Sequence, residues 1–106
     1  MAVLVVSDAT FEQEVIKSDL PVLVDFFAEW CMPGVMMAPV IEELSEKMKK
    51  VKFAKANVDE NSELAGKYKV MSIPTFIIFK DGKEVERIVG GQQADVIEEK
   101  LKKWLK

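Results

Sequence analysis

Residues Val22–Phe27 read Val-Leu-Val-Asp-Phe-Phe, a continuous apolar run broken once, by Asp25. Six residues without polar alternation are expected of a central strand covered on both faces, and covering both faces requires helices on either side of a sheet. The rest of the chain supplies strands and helices in alternation. Val3–Val6 is a short apolar run, and Ser7 or Asp8 can cap a helix that puts Phe11, Val15 and Ile16 on one face. From Gly34 onward, Met37, Val40, Ile41, Leu44 and Met48 recur at helical spacing, and Pro39, which has no N–H to donate, predicts a kink there. Phe53–Val58 reads as a further strand, and Asn61 or Ser62 opens a helix carrying Leu64, Ala65 and Tyr68. Thr75–Phe79 and Glu84–Val89 flank Lys80-Asp81-Gly82-Lys83, whose Asp-Gly pair is a strong hairpin signal. Ala94–Leu105 closes the chain as a helix with Ile97, Leu101, Trp104 and Leu105 on its buried side.

The predicted order is βαβαβαββα. Helical crossovers favour parallel neighbours and the last hairpin adds an antiparallel pair, so the expected class is α/β, with a central mixed sheet of about five strands and about four flanking helices. At 106 residues, with no linker, repeat or low-complexity tract, residues 1–106 are expected to form one domain around one core.

Charge and composition remove several function classes. The formal charge of −3 is spread over interleaved acids and lysines, so no basic stripe offers itself to phosphates and no nucleic-acid partner is expected. The densest basic run, Lys47, Lys49, Lys50 and Lys52, follows Glu42, Glu43 and Glu46 and reads as a solvated face. No apolar run approaches the ~20 residues of a membrane span, and the start, Met1-Ala-Val-Leu, lacks the charge of a secretory signal. A cytoplasmic monomer without membrane attachment is expected.

The chain has no histidine and one cysteine, Cys31. That removes Cys-His and Ser-His-Asp catalysis, rules out an internal disulfide, and leaves one sulfur among carboxylates, a poor zinc set. No metal and no cofactor is expected. Thiol chemistry, binding and a scaffold role remain.

Cys31 lies in Trp30-Cys31-Met32-Pro33-Gly34, where a strand gives way to a helix. Unsatisfied N–H groups at a helix start favour a thiolate over a thiol, so the placement suits a nucleophile better than a buried sulfur acting as a small hydrophobe. The stretch from Val22 to Pro39, the Ser72-Ile73-Pro74-Thr75 segment before the hairpin, and the order of elements together resemble the thioredoxin family over nearly the full length. The resemblance puts the family's second active-site cysteine at position 34, which here is glycine. It also implies a mechanism: in the family the first cysteine attacks a target disulfide, and the second releases the mixed disulfide from within. Positioning can supply effective molarities of ~10⁵ M or more for such an internal step, against roughly millimolar for an external thiol. By this resemblance, with Gly34 in that place, Cys31 would form a mixed disulfide with a disulfide-containing protein or peptide and hold it until another thiol arrived. Gly34 would also deprive Cys31 of the hydrogen bond by which the family's second thiol stabilises the thiolate.

Asp25 and Lys55 form a second signal. A carboxylate inside an apolar strand is costly to ionise, which raises its pKa, and Lys55 in the neighbouring strand can meet it beneath the site. In the family that the chain resembles, the matching aspartate assists proton removal from the second cysteine. Without that cysteine, Asp25 either tunes Cys31 or is an inherited buried group, and both readings stay open.

A third signal is Ile73-Pro74. An ordinary X-Pro bond is cis in only about 5–6% of cases, but the resemblance implies a cis-proline loop packed on the active-site cysteine. The residue before that proline pairs with extended substrates in the family, a short β-augmentation. The resemblance then implies that Trp30, Pro33, Gly34, Ile73, Pro74 and Gly90 bind peptide around Cys31. The plain alternative is that Pro74 starts a strand and Gly90 ends one. Met32, Phe27 and Val35 depart from the family pattern and make the site more apolar and less positive. Met32, Met36 and Met37 offer either an adaptable surface or core packing.

The leading expectation is therefore a monothiol exchange protein of the thioredoxin family, with an external thiol or thioredoxin reductase as reductant. The alternatives are a redox-silent peptide-binding module, a scaffold or trapping variant, or a pair of chains sharing an iron–sulfur cluster through Cys31 and an external thiol.

Overall fold

The computed structural model describes residues 3–105, so the reading of Met1 and Ala2 as no secretory signal lies outside the described residues. Five strands form one sheet: β1 Val3–Val5, β2 Val22–Phe27, β3 Lys52–Asn57, β4 Thr75–Lys80 and β5 Lys83–Val89, in spatial order β1-β3-β2-β4-β5. β1 and β2 both run parallel to β3, whereas β4 runs antiparallel to β2 and to β5. The apolar run thus becomes the middle strand, with all of Val22–Phe26 buried.

The helices are α1 Met32–Met36, α2 Ala38–Lys47, α3 Ser62–Lys67 and α4 Ala94–Lys102, preceded by a π-helical turn at Glu12–Ile16. Alternation along β2 sends side chains to two cores. Leu23 joins Phe53, Phe76 and Ile78 under Ile41 and Leu44 of α2 and Ile97 and Leu101 of α4. Val22, Val24 and Phe26 join Ala54, Ile77 and Phe79 on the opposite face, covered by Phe11, Val15 and Leu64. Phe11, Tyr68 and Phe79 meet there with ring centroids 5.2–5.4 Å apart.

Pro39 divides the helix that follows Cys31 into α1 and α2, with Met37 at the joint: proline cannot donate to the carbonyl one turn back. The Asp81-Gly82 turn has φ of 53° and 80°, the left-handed pair that a two-residue hairpin requires.

Three local expectations are corrected. The last helix ends at Lys102 rather than Leu105, leaving Trp104 partly buried against the core and Leu105 exposed. The first helical segment is a single π-turn, closed by the Lys17 N–H donating to the Glu12 carbonyl at 3.0 Å. Asp8 caps a different helix: the Leu64 N–H in the first turn of α3 donates to Asp8 Oδ1 at 3.0 Å, and the Asp8 N–H donates to Asn61 Oδ1 at 2.9 Å. Ser7 closes the local turn instead, its N–H donating to Thr10 Oγ1.

Candidate active site around Cys31

β2 ends at Phe27, and the chain turns through Ala28–Trp30 into α1. Cys31 is the N-cap of that helix with extended backbone, followed by Met32, Pro33 and Gly34 as its first three residues. Pro33 suits the first turn because its missing N–H would find no intrahelical acceptor there. Cys31 is free and half-buried, and its Sγ donates to the Ile73 carbonyl oxygen at 3.4 Å. The site therefore joins two segments 42 residues apart.

The Ile73–Pro74 peptide bond is cis. Ile73 is half-buried and Pro74 buried, and the Pro74 carbonyl accepts the Gly90 N–H at 2.8 Å. Gly90 has φ of 89°, a conformation that favours glycine. These contacts bring Cys31, Gly34, Ile73, Pro74 and Gly90 into one neighbourhood.

Gly34 is buried, and its backbone does not require glycine, since its φ is not in the left-handed region. A β-carbon built there lies 3.6 Å from Ile73 Cγ2 and 3.7 Å from Pro74 Cβ, ordinary van der Waals distances. A side chain at position 34 would therefore project toward the same loop that the Cys31 sulfur touches.

Trp30 is largely exposed, and its Nε1 donates to Asp59 Oδ2 at 2.8 Å. Pro33, two residues beyond Cys31, is exposed as well. Met32, Val35 and Met36 are exposed on α1, while Met37 is buried in the core, so the three methionines divide between surface and packing. Met71, just before the proline loop, is 91% exposed. Asp59 and Met71 were not legible as site residues in the sequence. Asp59 lies 29 residues from Trp30, and only the fold brings the two together.

Alternation along β2 puts Asp25 on the same face of the sheet as Leu23, toward α2, and it is the register partner of Lys55. It is 4% exposed, and its Oδ1 has no hydrogen-bond partner. Burial raises its pKa from 3.8 to about 7, and the nearby positive charge of Lys55 only partly opposes that rise. No Asp25–Lys55 ion pair within 4.0 Å occurs among the described residues; the Lys55 ammonium instead lies 5.7 Å from the centroid of the Phe27 ring. A pocket of about 290 Å³ opens beside them, lined by Asp25, Phe27, Gly34, Val35, Ala38 and Lys55, with Glu29 also on its wall. Among the described residues no group of three or more histidine, cysteine, aspartate or glutamate side chains can hold a metal ion, and no helix is long and apolar enough to cross a membrane.

A mixed five-stranded sheet with a cysteine at the start of the helix after its central strand, facing a proline loop, defines the class of thioredoxin-type thiol–disulfide exchange folds. The sequence model of the family described as Thioredoxin matches residues 2–103, and the chain belongs to the thioredoxin family. It is similar to a thioredoxin of Rickettsia bellii, 54% identical over 89 residues, covering 83% of this chain and 85% of that one. It is also similar to thioredoxin 1 of a Nostoc species, 46% identical over 101 residues and 94% of each chain. Among solved structures, a mutant thioredoxin from Halobacterium salinarum superposes with a TM-score of 0.91 at 36% identity, over 98% of this chain and 91% of that one.

Proposed function

We propose that this chain, residues 1–106 as a single domain, is a monothiol exchange protein in which Gly34 occupies the place of the family's resolving cysteine. The Cys31 thiolate attacks one sulfur of a disulfide-containing protein or peptide. A Cys31–target disulfide forms, the target's own S–S bond breaks, and the departing sulfur leaves as a thiolate that takes a proton. Turnover then waits on a reductant from outside, an external thiol or thioredoxin reductase. The setting proposed is the cytoplasm, with the chain acting as a monomer and using no cofactor.

The observation that carries this reading is the half-buried Cys31 sulfur 3.4 Å from the Ile73 carbonyl, with a glycine three residues on. Trp30, Pro33, Gly34, Ile73, Pro74 and Gly90 are proposed to seat the target backbone and its flanking apolar side chains, and Asp25 and Lys55 to act from beneath.

Incubation with a disulfide-bonded peptide and intact mass spectrometry is expected to show a one-to-one adduct that dithiothreitol reverses and Cys31→Ser abolishes. No adduct under conditions where free cysteine reacts refutes the proposal. The exposed Trp30, Met32, Val35 and Met36 favour a second reading, a redox-silent module that docks peptides through this rim. Insulin reduction with and without added thiol separates the two, since only the monothiol protein accelerates the thiol-supplemented reaction.

A further inference from the structure

Among the described residues the exposed methionines all flank Cys31. Met71 is 91% exposed, Met36 69% and Met32 60%, whereas Met37 and Met48 are 6% and 8% exposed and belong to the core. Resting on the monothiol reading, we infer that Met32, Met36 and Met71 form a modification site, at which a peroxide converts thioether to sulfoxide and thereby weakens the capture of apolar targets.

The three come from two segments that meet at the reactive sulfur. Met32 follows Cys31 directly, and Met36 stands one turn further along α1, so the two share a helix face. Met71 lies two residues before Ile73, whose carbonyl oxygen accepts from Cys31 Sγ, and two residues of chain reach at most about 7 Å. Trp30 and Val35 are exposed beside them, as is Val89, the strand partner of Thr75 next to the proline loop. Large apolar side chains gathered in water at one end of a fold mark a surface that a partner covers. Leucine or valine would offer similar apolar area. Sulfur adds a lone pair that two-electron oxidants accept, and because a thioether does not ionise, access decides which methionine reacts first.

The step balances with hydrogen peroxide as the oxidant. The methionine Sδ lone pair attacks one peroxide oxygen, and the O–O bond breaks as the S–O bond forms. The departing hydroxide takes the proton from the transferred oxygen and leaves as water. Sulfur loses two electrons and peroxide gains them. The sulfoxide is neutral but carries a strong dipole and a hydrogen-bond acceptor that an apolar target side chain cannot satisfy, so covering it costs what covering the thioether does not. Methionine sulfoxide reductases reverse the change with electrons from thiols. Cys31 Sγ, bonded to the Ile73 carbonyl rather than to the methionines, keeps its own reactivity toward a small disulfide.

The test uses the full chain, with Cys31 shielded as its mixed disulfide with β-mercaptoethanol during peroxide treatment and freed with dithiothreitol afterwards. Peptide mass spectrometry is expected to show Met71, Met36 and Met32 oxidised at least about 5-fold faster than Met37 and Met48. The treated chain is expected to form its adduct with an apolar disulfide-bonded peptide at least about 3-fold more slowly, while its rate with hydroxyethyl disulfide changes less than about 1.5-fold. Methionine sulfoxide reductase should restore the peptide rate. In the triple variant Met32→Leu, Met36→Leu and Met71→Leu, the same peroxide dose should leave each rate where it stood before treatment. Oxidation without preference for the exposed three, a peptide rate unmoved by it, equal slowing with both disulfides, or slowing that persists in the triple variant overturns the modification site. Failure of Cys31 to form any mixed disulfide overturns the monothiol reading instead, and the order of methionine oxidation, mapped on Cys31→Ser, is read separately from it.

Discussion

Asp25 and Lys55 stand opposite each other in adjacent parallel strands, yet the lysine's ammonium lies over the Phe27 ring and one Asp25 oxygen is left without a partner. An acid held in this way is protonated in the fold under conditions where the unfolded chain has already released its proton.

That difference makes stability depend on pH. The folded carboxyl titrates at about 7 and the ordinary value is 3.8, so between these limits the folded state binds the extra proton and stability falls as pH rises. Asp25→Asn, which has no proton to lose, is expected to be more stable than the parent above pH 7, by up to about 4 kcal/mol, with the gain vanishing below about pH 4. Urea denaturation at pH 4 and pH 8 checks this; a difference that does not change with pH contradicts it.

Two glycines are expected to respond oppositely to alanine. At Gly34 the added carbon meets its neighbours at 3.6 Å or more inside a helix, so Gly34→Ala should stabilise by about 0.5–1 kcal/mol. At Gly82, with φ of 80°, the carbon would come within 3.2 Å of the Ile16 carbonyl oxygen and 3.3 Å of Ile16 Cγ2. Gly82→Ala should therefore cost about 1–2 kcal/mol or more. Thermal midpoints of the two variants, measured side by side, decide the signs.

Asp8 holds the first turn of α3 from 56 residues away. Asp8→Ala is expected to cost about 1–2 kcal/mol, as loss of an N-terminal cap does, while Asp8→Asn keeps most of the stability because its amide oxygen can still accept from Leu64. Chemical denaturation midpoints are the readout, and equal loss in both variants would point to the carboxylate's charge instead.

The catalytic consequence of Gly34 is tested by restoring sulfur. Because position 34 accepts a β-carbon without displacement, Gly34→Cys is expected to fold unchanged and to raise insulin reduction in the presence of thioredoxin reductase by at least about 10-fold, since the release step becomes intramolecular. An inactive, folded Gly34→Cys chain would show that more than one sulfur separates this site from a dithiol one.

Features that depend on nearest neighbours along the chain were legible in the residues alone. The apolar run at Val22–Phe27, the Asp81-Gly82 turn and the break imposed by Pro39 are all local consequences of side-chain pattern or backbone freedom, and all are present in the fold. The π-turn in place of the first helix and the end of α4 at Lys102 were not legible in the periodicity, and the hand-over of Asp8 to α3 came from a contact between segments 56 residues apart. The same holds for the site. Residue types marked out Cys31, Asp25 and Lys55, and the family resemblance marked out Pro74, but the Lys55 ammonium's position over Phe27, Trp30's bond to Asp59, and the pocket beside Gly34 depend on where separate segments meet in space. Distances between side chains far apart in the chain arise only when both faces of the sheet close together, because the burial that drives closure has no direction of its own.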